Sequence, residues 1–448
     1  MVSIIKGSKI LLDIKTVGIN GEGIGYYNKL AVFVKGAITK ERIYALVTEV
    51  HDKYLVATID SFVEKSNRRV EPFCKFYEDC GACNIQHIKK NEQLKIKRSI
   101  LINSLKRYTN LDTDKLNIGL TVESPLNNYR NKAQMPFRDT NFGLSLGLYQ
   151  ENTNKFVYID ECKIQSQLVN TVINKVLTIL RRHNETTDKK GGVLKYLVVR
   201  ALESSKEAQV TFILKEFKDS FKEIGKEVYD SMDEIKSVFY SIQDKNSVSI
   251  FGNTTILLEG RNYIRDNMLG LKVSLSPKSF YQLNSEASKN LYSEILNSDI
   301  KETDIVFDCY SGIGLLGLLI AKKAKHVYSI DYNSDSIKNA RIIAKDNDIS
   351  NITFYSDRIE NRLPRLKEEN IKPDLIVLDP PRSGLDQKVI DTLRLIKPPR
   401  IIYISCNSST LAKNLSQLLD LYDIEKITPY DFFTETALVE SIAVLTCR

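Results

Sequence analysis

The stretch DIVFDCYSGIGLLGLLIAKKA, residues 304–324, decides how the C-terminal half of the chain folds. Ile305-Val306-Phe307 is a continuous apolar run of the kind that fills a strand buried on both faces, and it stops at an acid, Asp308. Cys309-Tyr310-Ser311-Gly312-Ile313-Gly314 then turns the chain, and the apolar residues that follow predict a helix. Strand, glycine-rich turn and helix make a βα unit of an open α/β sheet, in which ligands bind beyond the carboxyl ends of the strands. Gly312, Gly314 and Gly317 satisfy G-x-G-x-x-G, and Asp331 closes the next apolar run at about the 20-residue offset of a dinucleotide site.

Outward from this unit, helix-like and strand-like segments alternate. SEASKNLYSEIL (285–296) precedes it; HVYSIDYN (326–333), SIKNARIIAKDN (336–347), ITFYSD (352–357), PDLIVLDPP (373–381) and RIIYISC (400–406) follow. Single helices between strands predict a parallel sheet covered on both faces, a Rossmann-like α/β domain assigned to residues 269–448. Asp308 directly before the turn, and Asp379-Pro380-Pro381-Arg382 at the end of a later strand, favour S-adenosylmethionine over a dinucleotide. Two prolines fix the backbone there and remove its donors. Asp331 is expected to accept the ribose hydroxyls.

Tyr403-Ile404-Ser405-Cys406-Asn407 puts a cysteine at another strand end, near the expected place of the methyl group. A uracil ring is a poor carbon nucleophile at C5, but adding a thiolate at C6 turns C5 into the carbon of an enolate, which splits one hard step into easier ones. A free thiol is mostly protonated at neutral pH, and Arg382 is the cation expected to assist Cys406. The C5 proton must then leave to a carboxylate, and Glu440 is the candidate base. Cys309 and Cys447 are expected to be inert.

In the N-terminal part, LLDIKTVGI (11–19), LAVFVKG (30–36), ERIYALVTEV (41–50) and KYLVATIDSF (53–62) are short β-rich runs with Gly and Asn-Lys punctuation. They predict a small OB-like β-barrel over residues 1–65. KYLVVRAL (195–202), AQVTFILK (208–215) and SVFYSIQ (237–243) are the clearest strands of a central mixed α+β domain, residues 66–268. Between Gln86 and Arg107 seven cations (Lys89, Lys90, Lys95, Lys97, Arg98, Lys106, Arg107) face one acid, Glu92, with Leu94, Leu101 and Leu105 at helical spacing. That predicts a basic amphipathic helix over 88–107, with three readings open: a solvated face, packing on the catalytic domain, or a face toward RNA.

The chain has 448 residues, 42% hydrophobic and 27% charged, with no tryptophan, so disordered and fibrous classes are excluded and more than one domain is expected. No apolar run approaches the roughly 20 residues of a membrane span, and Met1 to Lys9 lacks a secretory signal, so a cytoplasmic protein without a membrane partner is expected. A net charge of +8 permits a polyanionic partner without requiring one. Seven cysteines argue against a disulfide framework. Cys74, Cys80, Cys83 and the distant Cys162 supply enough thiolates for one [4Fe-4S] cluster, while Cys74, Cys80, Cys83 and His87 would suit zinc.

Tyr129-Arg130-Asn131-Lys132, Ser279-Phe280-Tyr281-Gln282-Leu283-Asn284, Asp308 to Gly314, Asp379-Pro380-Pro381-Arg382-Ser383-Gly384, Ser405-Cys406-Asn407 and Val439-Glu440 occur in the order seen in one family. On these motifs the chain resembles the RNA uracil-5-methyltransferases over nearly its whole length. Residues 18–43, GINGEGIGYYNKLAVFVKGAITKERI, resemble the TRAM domain, which places the likeness in the ribosomal branch acting on 23S rRNA. The resemblance implies a methyl donor held by Gln282, Tyr310, Gly312, Gly314, Asp331, Asp357 and Asp379, with Cys406 as nucleophile and Glu440 as base. It also implies a [4Fe-4S] cluster on Cys74, Cys80, Cys83 and Cys162, structural or RNA-positioning rather than redox-active, in a monomer. Relatives usually carry His where Leu438 stands, Phe-Pro where Phe433-Thr434 stands, and Glu in place of Asp331.

Rival expectations are a tRNA uracil-5-methyltransferase, a base N-methyltransferase, an NAD-binding oxidoreductase with a metal centre, and a non-catalytic RNA-binding protein. An N-methyltransferase typically has an aromatic residue after Asp-Pro-Pro, where this chain has Arg382.

Overall fold

Along Lys9–Asp13 (β1) alternate residues are buried, the period-two pattern of a strand with one wet face. With Thr16–Val17 (β2), Gly23–Tyr27 (β3), Leu30–Lys35 (β4), Arg42–Val50 (β5) and Tyr54–Glu64 (β6) it forms a sheet in the order β1-β5-β6-β4-β3-β2. Ile10, Leu12, Val32, Val34, Ile43, Val47 and Leu55 form a core of its own beneath this sheet. The computed structural model describes residues 4–243 and 249–448. Residues 1–3 of the segment expected to form the barrel, and 244–248 of the expected central domain, lie outside the described residues.

Residues 65–89, which carry the three clustered cysteines, contain no helix or strand. They are pinned instead by ion pairs: Arg69 grips the buried Glu41 at both oxygens (2.6 and 2.8 Å), and Arg68 reaches Glu92 at 2.7 Å. The helix expected from the basic run forms at Lys90–Tyr108 (α1), but its role differs from that of a basic surface face. Lys97 is fully buried and bonded to Asp431 at 2.5 Å, Lys90 pairs with the same carboxylate, and Arg98 caps the carbonyls of Ile118 and Gly119. Leu94 is only half-buried; Ile96, Ile100, Leu101 and Leu105 form the apolar side.

Lys132–Thr140 (β7), Gly143–Tyr149 (β8), Phe156–Tyr158 (β9), Gln167–Arg182 (α2), Leu194–Leu202 (β10), Glu207–Leu214 (β11), Ser220–Asp230 (α3), Ile235–Ile242 (β12) and Thr255–Gly260 (β13) follow. Their sheet runs β13-β12-β11-β10-β7-β8-β9. α2 buries Val169, Val172, Ile173, Val176 and Leu180, the spacing of one helical stripe, against it.

Ile264–Met268 (β14) and Leu271–Leu275 (β15) make a hairpin whose turn, Leu269-Gly270, has positive φ at both residues. The division expected between residues 268 and 269 falls at this turn, and both strands join the core of the C-terminal unit. Then come Ser285–Leu296 (α4), Ile305–Cys309 (β16), Leu315–Ala321 (α5), His326–Asp331 (β17), Ser334–Asp346 (α6), Ile352–Ser356 (β18), Ile359–Glu368 (α7), Leu375–Leu378 (β19), Gln387–Ile396 (α8), Arg400–Ser405 (β20), Ser408–Ser416 (α9), Tyr422–Tyr430 (β21) and Glu440–Cys447 (β22).

These strands order as β18-β17-β16-β19-β20-β22-β21. From β18 to β20 all neighbours are parallel, as the alternating pattern predicts. The sheet is not parallel throughout, however: β22 inserts antiparallel between β20 and β21. Neighbouring residues of a strand enter opposite cores, Val306, Val377 and Ile402 on one face and Phe307, Ile376 and Ile401 on the other. Complete burial of side chains of this size contributes about 1.5–3 kcal/mol each before entropy is counted. α1 joins the second face through Leu101 and Leu105, beside Leu411, Ala412 and Leu415 of α9. No helix among the described residues is long and apolar enough to cross a membrane.

Candidate active site

At the carboxyl end of β16 the backbone turns sharply, and Tyr310 takes a left-handed φ of 65°. That conformation costs a side-chain-bearing residue roughly 1 kcal/mol or more, a strain of the kind stored at functional sites. Further on, Gly317 lets α5 approach the strand: a Cβ there would stand 2.4 Å from Asp308 Oδ2. Beside this turn lies a cavity lined by Phe280, Gln282, Tyr292, Asp308, Tyr310, Ser311, Gly312 and Asp379, among others. Its acids are out of water. Burial pushes Asp308 up to about 7; burial, followed by the charge of Asp308, does the same to Asp379. A cationic ligand would relieve both, and the buried Ser311 Oγ has no hydrogen-bond partner among the described residues.

Of the residues expected at the methyl donor, Gln282, Tyr310, Gly312 and Asp379 line this cavity. Asp331, Gly314 and Asp357 do not. Asp331 accepts the amides of Gly312 and Asn333, both at 2.8 Å, so it shapes the turn; each oxygen keeps a lone pair for a further donor. Asp357 lies beyond β18 and faces Arg365 at 3.5 Å. Gly314 supplies the left-handed cap of α5.

The thiol and the carboxyl are brought together by the antiparallel insertion. Ser405 of β20 is paired with Ser441 of β22, so Cys406, one step after the first, and Glu440, one step before the second, share one end of the sheet. Asn407 caps α9 through its side-chain oxygen and donates to the Arg382 carbonyl at 3.3 Å, tying the Cys406 loop to the Asp379–Arg382 loop. Burial pushes the Cys406 thiol up to about 11; the charges of Glu440 and Asp379 add to this and the Arg382 guanidinium opposes it. The cation expected to activate the thiol is thus present but outweighed. Glu440 is held well above the ordinary carboxylate range, first by burial and then by Asp379, against the pull of Arg382.

Sequence reasoning missed Tyr292. It projects from α4 into the same cavity, its hydroxyl held protonated by burial and by Asp379, Asp308 and Glu440. A tyrosine in an amphipathic helix carries no signal of this before the sheet is assembled.

Cys74, Cys80, Cys83 and Cys162 all line one small hollow, walled by Phe76, Leu148, Ile159 and Ile164. His87 is not among the lining residues; its Nδ1 engages the Tyr77 hydroxyl at 2.6 Å. Among the described residues no three His, Cys, Asp or Glu side chains are grouped as ligands of a single metal ion. A tetrahedral zinc with Zn–S of about 2.3 Å needs sulfurs roughly 4 Å apart, whereas a larger cluster holds them more widely. The four free thiols around this largely apolar hollow supply the number of donors that such a cluster takes.

Comparison with known proteins gives three findings. A family model described as tRNA (Uracil-5-)-methyltransferase matches residues 89–448, and one described as TRAM domain matches residues 5–59. An uncharacterized RNA methyltransferase of Enterococcus faecalis is 36% identical over 448 residues, covering 98% of each chain, and one of Listeria innocua is 35% identical over 451 residues, covering 99% of this chain and 98% of the relative. The crystal structure of Pyrococcus abyssi tRNA (uracil-54, C5)-methyltransferase in complex with S-adenosyl-L-homocysteine superposes with a TM-score of 0.76 at 24% identity, covering 98% of this chain and 100% of that one, a likeness of fold.

Proposed function

The chain belongs to the tRNA (uracil-5-)-methyltransferase family and is an S-adenosylmethionine-dependent RNA methyltransferase; from this premise we propose that it forms 5-methyluridine in 23S rRNA through a covalent Cys406 adduct. The observation that carries the chemistry is the pairing of Ser405 with Ser441, which brings a thiol and a buried carboxyl to one end of the sheet. Asp379, whose charge acts on both, also lines the proposed donor cavity.

S-adenosylmethionine supplies an electrophilic methyl group, and Gln282, Tyr310, Gly312 and Asp379 would hold it, with Asp331 at the edge of the turn. The Cys406 thiolate adds to C6 of the uracil, and the electron pair of the C5–C6 bond moves to C5 and the O4 carbonyl. C5 would take the methyl group as its bond to the donor's sulfur breaks, with S-adenosylhomocysteine as the leaving group. Glu440 removes the C5 proton, the C5–C6 double bond re-forms, and the C6–S bond breaks to return Cys406. The uridine must leave its stack to meet both groups. Arg382, whose charge acts on both Cys406 and Glu440, opposes the accumulation of negative charge as these steps proceed.

Cys74, Cys80, Cys83 and Cys162 would hold a [4Fe-4S] cluster as a structural or RNA-positioning element, since no step above transfers an electron. The barrel and the four-cysteine set together favour ribosomal RNA over transfer RNA, because both accompany the ribosomal branch that the motifs resemble. The protein would act as a cytoplasmic monomer, gripping RNA through its N-terminal barrel (residues 1–65), its central domain (66–268) and its catalytic domain (269–448). Methyl-labelled donor with 5-fluorouridine-containing 23S fragments and with tRNA transcripts tests the whole. A labelled adduct on the 23S fragment that requires Cys406 supports the reading; an adduct only on tRNA moves the substrate, and none on either removes the C5 chemistry.

A further inference from the structure

Residues 431–439, which join β21 to β22 and deliver Glu440, are held largely from outside their own sheet. Glu435 is buried and takes a left-handed φ of 65°, a conformation that persists only where surroundings over-determine it. Its carbonyl accepts the amides of Asn84 (3.0 Å) and Ile85 (3.2 Å), and its carboxyl accepts from Gln93 Nε2 at 3.2 Å. Two residues on, the Ala437 amide donates to Asn84 Oδ1 at 3.0 Å, while Asn84 Nδ2 donates to the Asn20 carbonyl of the barrel at 2.6 Å. The barrel turn fits closely around this amide: a Cβ on Gly21 would lie 2.9 Å from Asn84 Cγ. Ala437 and Val439 complete the contact in an apolar cluster with Val17 and Ile38 of the barrel segment, Ile85 and Ile88 of the cysteine segment, and Ile96 and Ile100 of α1.

We propose that Asn84 is a positioning residue for Glu440, coupling the docked barrel to the placement of the catalytic carboxyl. The proposal rests on the assignment of Glu440 as the base. The Asn84 side chain bonds both the barrel and the strand entry three residues before Glu440. Loosening it shifts the carboxyl without touching Cys406, whose loop is held by Asn407 and Arg382. Attack at C6 then proceeds, and removal of the C5 proton slows.

Single-turnover reactions on two RNAs separate these steps. With 5-fluorouridine RNA, where adduct formation needs no base, Asn84→Ala is expected to stay within about twofold of the parent, while with ordinary RNA a methylated adduct persists and product release slows roughly ten- to a hundredfold. Asn84→Asp, which keeps an acceptor for the Ala437 amide, is expected to recover part of the release rate. Equal slowing on both RNAs, or slowing on neither, overturns the proposal. Glu440→Gln is run alongside: if it accumulates adduct and Asn84→Ala does not, positioning alone is wrong, whereas if it accumulates none, the base assignment falls and takes this proposal with it. Should Asn84→Ala not fold, Asn84→Ser, whose shorter side chain keeps a polar group but does not span both the Asn20 carbonyl and the Ala437 amide, is read in the same way.

Discussion

Cys406 leaves β20 one residue after Ser405, and Glu440 enters β22 one residue before Ser441, the direct partner of Ser405 across an antiparallel ladder. The candidate nucleophile and base, 34 positions apart in the chain (440 minus 406), are thus neighbours by register. A one-residue slip would turn one of them to the opposite face of the sheet.

For Cys406→Ala, loss of methyl transfer by roughly a thousandfold or more and disappearance of the 5-fluorouridine adduct are expected, because no other nucleophile replaces the thiol. Binding of the methyl donor, followed by calorimetry, should change little. A variant that still methylates at near-parent rate refutes the covalent route.

Glu440→Gln is expected to split the reaction. Adduct formation survives and the methylated adduct accumulates on ordinary RNA, since the neutral amide cannot accept the C5 proton. Denaturing gels with labelled donor read this directly; clean turnover without accumulation would assign the base elsewhere.

The pH dependence follows from the raised thiol. With Cys406 near 11, its thiolate fraction rises about tenfold per pH unit between pH 7 and 9, so the rate of adduct formation should climb with slope near one on a logarithmic plot. Glu440, also raised, must lose its proton to act, so both groups push activity the same way. A rate already flat at pH 7 contradicts a buried, protonated resting thiol.

Protein purified without oxygen is expected to contain about four iron atoms per chain and a broad visible absorbance, both lost in Cys83→Ser. One zinc per chain and no colour would instead establish a mononuclear site, and would require the thiols to close in around it.

Lys97→Met leaves Asp431 with Lys90 alone in a buried setting and is expected to cost about 3–5 kcal/mol in urea unfolding. Lys97→Met combined with Asp431→Leu should cost less than the two singles added together, since the fully buried pair goes as a unit and only Lys90, which is partly exposed, loses a partner.

The C-terminal strands and helices were legible because an all-buried strand must be apolar throughout and because glycine and proline mark the turns, as in residues 304–324 and 379–382. The barrel strands and the central strands were legible for the same reasons of alternation and punctuation. The basic helix was legible as a helix but not as a strut. Charge in a sequence says nothing of whether a carboxylate 334 positions away, Asp431, lies close enough to bury Lys97.

By itself the sequence named the candidate groups: a thiol and an acid at strand ends, a glycine turn after an acid, and a four-cysteine set, in motifs that follow one family's order. The tertiary structure alone decided that β22 runs antiparallel, that Arg382 is outweighed by burial at Cys406, that Tyr292 lines the cavity beside Asp308 and Asp379, and that the barrel reaches the Glu440 strand through Asn84. Periodicity and punctuation are local and survive in one dimension. Register between distant strands, desolvation and inter-domain hydrogen bonds depend on which surfaces meet, and they come into being only when the chain is packed.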